Sequence, residues 1–192
     1  MKLVIGIAGR RGSGKDTAAG CLCERHGFIS IDFSRDILTP VLRAEGRPVT
    51  RESLTRLAMA GRAEAGNGVW AERLSAAANG SGAGRIVISG IRFAEEVRVF
   101  RKKFGRGFTL TAVICDDKIR FERLKSRGTM GEGGMTYERF LALERAAPEK
   151  AVQKTIRMAD YILDNSGTRH GLCRQVEAMF KDVCKQPAGQ GL

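Results

Sequence analysis

The segment Gly9-Arg10-Arg11-Gly12-Ser13-Gly14-Lys15-Asp16-Thr17 constrains this chain more than any other stretch of it. It stands between an apolar run, Lys2-Leu3-Val4-Ile5-Gly6-Ile7-Ala8, and a run of helix formers reaching Glu24. That order reads as strand, tight turn, helix. Glycine at 9, 12 and 14 removes side chains that would obstruct either a positive-φ turn or the close approach of phosphate oxygens. The N-terminus of the following helix adds partial positive charge, and Lys15 adds a mobile point charge. The spacing therefore predicts a phosphate cradle formed by Gly9, Gly12, Ser13, Gly14, Lys15, Asp16 and Thr17. Gly6, Gly9 and Gly12 are spaced evenly by three and do not make the G-x-G-x-x-G turn of a dinucleotide site.

Apolar runs and helical segments alternate along the rest of the chain, the pattern of a parallel sheet. Strands are expected at about 2–8, 28–31, 85–89, 109–115 and 160–164, within a single domain over residues 1–185. Residues 34–78 are too long for a simple crossover and read as a helical insertion, broken at Glu45-Gly46-Arg47-Pro48 and Gly66-Asn67-Gly68, with Thr50 as a helix cap. Residues 186–192 read as a disordered tail. Residues 128–136 are rich in glycine and read as a small lid. Arg120, Arg123 and Arg127, at i, i+3 and i+7, are expected on one helix face before it, and after it Thr136 is expected to cap a helix carrying Arg139 and Arg145. Arginines on both sides of a lid suit closure over a triphosphate, where they neutralise migrating charge.

The 192 residues carry a formal net charge of +12, which points to polyanionic partners. With two tyrosines, one tryptophan and no aromatic-glycine motif of an RNA-binding sheet, an arginine-lined cleft is favoured over a nucleic-acid face. The N-terminal apolar stretch leads straight into the phosphate loop and reads as a strand, not a signal peptide. The expectation is a cytoplasmic protein without a membrane span, monomeric or homodimeric. The five cysteines form no C-x-x-C pair, and their odd count and scatter suggest reduced thiols.

One residue, Asp16, separates Lys15 from the hydroxyl of Thr17. In this the loop resembles those of nucleoside monophosphate kinases, adenylate kinase included. Gly90-Ile91-Arg92 after a strand, Glu95-Glu96-Val97, the helix from Arg120 to Arg127 and the stretch from Ala159-Asp160-Tyr161-Ile162 to Asn165 extend the likeness over about residues 1–183. They resemble an uncharacterised adenylate-kinase-related family that shares part of its layout with dephospho-CoA kinases. The resemblance implies a P-loop NTPase fold of class α/β, three layers α/β/α around a five-stranded parallel sheet. It implies ATP and Mg2+ as cofactors, a nucleotide-like small-molecule acceptor, and γ-phosphoryl transfer, in first place to a nucleoside or deoxynucleoside monophosphate.

By that resemblance Gly12 to Thr17 bind the donor, Asp16 and Thr17 serve the metal through water, and Asn165 approaches the adenine. Arg92 and Arg62 grip the acceptor phosphate, and Arg123 and Arg127 join Lys15 in catalysis. The family usually places an aspartate before the Gly-Ile-Arg turn, where this chain has Ser89. Asp32 matches the position at which dephospho-CoA kinases hold a catalytic aspartate beside the acceptor hydroxyl. A kinase of that type is the second reading, and a nucleotide-binding regulator or RNA-associated ATPase is the reading from another class.

Overall fold

The computed structural model describes residues 2–128, 134–145 and 147–185. The expected tail at 186–192 and residues 129–133 of the expected lid lie outside the described residues. Strands β1 (Leu3–Ala8), β2 (Ile29–Asp32), β3 (Arg85–Ile91), β4 (Phe108–Ile114) and β5 (Tyr161–Asp164) form one sheet in the order β2-β3-β1-β4-β5. Every adjacent pair is parallel. Each strand lies within two residues of its expected ends. Val4 stands opposite Ile86 on one side and Phe108 on the other, so β1 is central and the loop after Ala8 leaves from the middle of the sheet's carboxyl edge.

A sheet covered on both faces takes apolar residues in unbroken runs. Val4, Ile86, Ile88 and Leu110 point into one core, with Leu74 of α4 (Val69–Gly80) and Phe100 of α5 (Ala94–Phe104). Ile5, Ile7, Val87 and Val113 point into the other, with Leu22 of α1 (Lys15–His26) and Val176 of α9 (Arg169–Lys185). The result is the three-layer α/β/α arrangement expected from the alternation.

The insertion opens with a single wide helical turn, Phe33–Leu38, followed by α2 (Thr39–Ala44), α3 (Arg51–Ala65) and α4. Thr50 caps α3 by accepting from the Ser53 N–H at 3.1 Å. Trp70 fastens α3 to α4, its Nε1 donating to the Ala58 carbonyl at 2.9 Å while its ring presses on Gly61. No side chain fits at 61 without displacing that ring.

The expected lid arms are α6 (Asp117–Arg127) and α7 (Tyr137–Glu144), followed by α8 (Ala147–Ile156). Leu124, Met135 and Phe140 form a small core of their own between the arms. Thr136 caps α7 through the Arg139 N–H, as the sequence predicts. The shared arginine face needs correction at Arg120. Its side chain is 1 % exposed, forks onto both oxygens of Glu144 at 3.1 and 2.7 Å, and reaches Asp117 at 2.8 Å. Burial makes solvent a poor partner for a guanidinium, so carboxylates from both arms surround it.

A second correction concerns the thiols. Cys21 of α1 and Cys173 of α9 are joined in a disulfide, with Cα atoms 5.9 Å apart, while Cys23, Cys115 and Cys184 are free. A pair 152 positions apart in sequence leaves no local spacing to read. It meets because both helices pack on the same face of the sheet. No helix among the described residues is long and apolar enough to cross a membrane.

Arg120→Ala leaves Glu144 with Arg10 as its remaining cation, at 3.2 Å, and should cost up to about 3–5 kcal/mol in denaturant unfolding, the typical loss when one partner of a buried ion pair is removed. Replacing the pair together, Arg120→Met with Glu144→Leu, should recover most of that loss. A single-variant cost under about 1 kcal/mol would show that the pair does not tie the arms together.

Candidate functional site

The loop after β1 behaves as a cradle because its carbonyls are engaged elsewhere. Gly12 and Gly14 have φ of +71° and +93°, the left-handed turns that bring successive N–H groups to one side. The carbonyls of Arg10, Arg11 and Ser13 each have a donor. Arg120 Nη1 donates to Arg11 O at 3.0 Å, Asn165 Nδ2 donates to Ser13 O at 2.8 Å, and the Ser13 N–H turns back to Arg10 O at 3.2 Å. A Cβ on Gly14 would collide with the Asn165 amide. A cavity of about 300 Å³ lies behind the loop, bordered by Arg10, Ser13, Cys115, Arg120 and Gln153. Arg120 belongs to the loop's carbonyl side, so this cavity is not the phosphate seat.

Lys15 opens α1, directly after Gly14. Burial holds its ammonium below the ordinary lysine pKa, opposed by Asp16 and reinforced by Arg92. A lysine kept dry among other cations gains more from a bound polyanion than one exposed to water. Asp16 reaches across to β3, where Ser89 Oγ donates to its Oδ1 at 2.9 Å. Its Oδ2 stands 3.8 Å from Lys15 Nζ. Asp16 thus brings a carboxylate from α1 to position 89, where the family that the chain resembles usually has an aspartate. One carboxylate, the Thr17 hydroxyl and substrate phosphates make a donor set of the kind Mg2+ takes, since that ion keeps several waters and needs few protein ligands. The residues present fit the metal in that sense.

On the β3 side, the two arginines expected to grip an acceptor each face a buried carboxylate. Arg92 Nη1 donates to Glu149 Oε1 at 2.7 Å, and Arg11 Nε lies 3.7 Å from the same oxygen. Glu149, on α8, is 3 % exposed. Arg62 donates to Glu96 Oε1 at 2.8 Å and lies over the Phe93 ring. Glu96 is fully buried, and its other oxygen accepts from the Arg92 and Phe93 N–H groups at 2.8 and 3.1 Å. Burial pushes the Glu96 carboxyl up, with Arg62 opposing. Arg62 thus ties the insertion to the Gly-Ile-Arg turn through Glu96. Asp32 spends Oδ1 capping the turn that follows, accepting from the Ser34 and Arg35 N–H groups at 2.8 and 2.9 Å. Its Oδ2 faces Gly90, 3.9 Å from where a Cβ there would stand.

On the β5 side, Arg123 donates to Cys115 Sγ and to the Gly167 carbonyl, both at 3.3 Å. The structure thus sends it toward the loop after β5 and away from Lys15. Arg127 is near enough to Lys15 to contribute to its lowered pKa, so the two arginines divide between the flanks of the loop. Asn165 is buried and gives its amide N–H to the loop, which corrects the expectation of a side-chain contact to adenine.

Sequence reasoning missed Glu149, Glu96 and Glu144 as members of the site. Buried acids facing arginines offer no local signal, although a chain with a large excess of arginine and lysine must neutralise those it buries. Arg11 was legible as a loop residue but not as a neighbour of Glu149.

Among known proteins, no family model matches the chain. A UPF0200 protein of Hyperthermus butylicus is 31% identical over 190 residues, covering 99% of this chain and 97% of the relative. A UPF0200 protein of Pyrobaculum aerophilum is 32% identical over 165 residues, covering 84% of this chain and 87% of the relative. Among solved structures, TT1252 from Thermus thermophilus superposes with a TM-score of 0.63 at 23% identity, over 94% of this chain and 97% of that one. A shikimate kinase from Bacteroides thetaiotaomicron superposes at 0.58 with 13% identity, over 94% and 98%. A gluconokinase from Sinorhizobium meliloti superposes at 0.53 with 16% identity, over 94% and 93%. These likenesses show the α/β fold of P-loop kinases. The end-to-end match to the archaeal relative goes further, and on it the chain belongs to the UPF0200 family.

Proposed function

We propose that the protein is an ATP-dependent phosphotransferase that passes the γ-phosphoryl group to a nucleotide-like acceptor, most simply a nucleoside monophosphate. The observation that carries this reading is the loop itself: left-handed Gly12 and Gly14, outward-held carbonyls, and a desolvated Lys15 facing Arg92 across the carboxyl ends of the central strands. Ligands of open α/β sheets bind at that edge. The fold likeness to kinases named for shikimate and gluconate supports a small-molecule acceptor.

In this reading the N–H groups of Gly12 and of Gly14 to Thr17 hold the donor's phosphates, the Ser13 N–H being engaged by Arg10 O, and Lys15 takes the γ-phosphoryl oxygens. Mg2+, held by the Thr17 hydroxyl and through water by Asp16, supplies charge neutralisation when bound. Arg127 adds cationic charge beside Lys15. Arg123, read from the resemblance as a second catalytic arginine, is engaged by the Gly167 carbonyl and would have to leave it to reach the migrating group. The acceptor enters on the β3 side beside Arg92. A phosphate acceptor is already a nucleophile and needs no strong base, so positioning and charge carry the rate. The hydroxyl-acceptor alternative is favoured by one observation, the Oδ2 of Asp32 turned toward Gly90. Measuring ADP release with separate nucleoside monophosphates and with dephospho-CoA decides between the two. ADP release that no acceptor accelerates would instead support a regulator.

Lys15→Ala should lower kcat by at least about a hundredfold, the scale of one lost transition-state contact, with the thermal midpoint little changed. Lys15→Arg should fail as well, because a planar fork does not replace a compact ammonium. Activity of Lys15→Ala within threefold of the parent would remove the loop from catalysis. Asn165→Ala leaves the Ser13 carbonyl without its buried donor. It should weaken ATP binding by about tenfold, corresponding to 1–3 kcal/mol for an unsatisfied buried acceptor, and calorimetric titration with a non-hydrolysable ATP analogue reads this directly.

A further inference from the structure

The Glu149 carboxylate sits where the proposed acceptor phosphate would be, and its hydrogen bonding is incomplete. Oε1 takes Arg92 Nη1 at 2.7 Å and stands 3.7 Å from Arg11 Nε. Among the described residues Oε2 is buried with no hydrogen-bond partner, and so is Arg11 Nε. Lys15 feels the field of both Glu149 and Arg92. A carboxylate brings two acceptor oxygens to this ring of cations, whereas a phosphate monoester brings three and a second negative charge. Burying a charged group with one oxygen unmatched is costly, so Glu149 is a poorly fitted occupant of a seat made for a larger anion.

We infer that Glu149 is an internal anion holding the acceptor-phosphate seat of Arg11, Lys15 and Arg92, and that it selects for phosphate monoester dianions, which alone displace it. This rests on the kinase reading for the identity of the acceptor, but the seat and its occupant do not depend on catalysis. A neutral hydroxyl offers the arginines nothing in exchange for the carboxylate and leaves it in place. Thr155, at the other end of α8, donates to the Arg92 carbonyl at 2.8 Å, so that end stays fixed to the β3 turn while the Glu149 end gives way.

The test measures binding of inorganic phosphate by calorimetry to the full-length parent, to Glu149→Gln and to Glu149→Gln combined with Arg92→Ala. Glu149→Gln keeps the shape and removes the competing charge, so phosphate should bind about tenfold more tightly than to the parent, a modest share of one close charge-charge interaction. The added Arg92→Ala should abolish that gain. Phosphate should also raise the thermal midpoint of Glu149→Gln more than that of the parent. If Glu149→Gln does not fold, Glu149→Asp replaces it, since a side chain one methylene shorter gives up the Arg92 contact and should move affinity in the same direction. Equal or weaker phosphate binding by the folded variant overturns the inference. Tighter phosphate binding in a protein that shows no phosphoryl transfer would uphold the seat while removing the kinase reading.

Discussion

A cradle of backbone N–H groups holds an anion only if the carbonyls that alternate with them are kept away from it. Much of this structure serves that condition. The Ser13 carbonyl is held by Asn165, from the segment just after β5, and the Arg11 carbonyl by Arg120, from α6. Both donors are buried, and each comes from a part of the chain more than 100 residues distant in sequence. The loop's shape is therefore a property of the whole sheet and of α6, not of its glycines alone. Because Arg120 also grips Glu144 of α7, the arm that follows 129–133 is tied to the same loop backbone.

Buried carboxylates paired with arginines recur around the cleft: Glu96 with Arg62, Glu149 with Arg92, Glu144 with Arg120. They differ in completeness. Both oxygens of Glu96 and of Glu144 have donors, which suits struts that hold elements in place. Glu149 leaves one oxygen unmatched, which suits an occupant that yields. Arg62 Nε and Arg120 Nε are also buried without a hydrogen-bond partner among the described residues, so the distinction lies in the carboxylates: one with an unmatched oxygen has more to gain from exchange than one with both oxygens bonded.

The features legible in the sequence were those with local signatures. Five apolar runs gave the strands, Thr50 and Thr136 announced helix starts, and the glycine spacing gave the cradle. The same reading could not distribute the arginines. Arg120, Arg123 and Arg127 look alike at helical spacing, yet one is buried against Glu144, one turns to Gly167 and one lies in the field of Lys15. Their fates depend on α7, the end of β5 and the loop, whose relative placement is a tertiary fact. The Cys21–Cys173 disulfide and the Ser89–Asp16 contact belong to the same category. Ser89 stands in sequence where the resembled family usually has an aspartate, and only the fold shows the Asp16 carboxylate beside it.

The central claim is that residues 12–17 form an anion cradle for a nucleoside triphosphate. Backbone amide resonances in 15N-labelled protein, followed during titration with a non-hydrolysable ATP analogue, test it most directly. The account predicts saturable shifts of the Gly12, Ser13, Gly14 and Lys15 amides at one common dissociation constant, lost in Lys15→Ala. Saturable binding that moves amides elsewhere and leaves those four unchanged would contradict it.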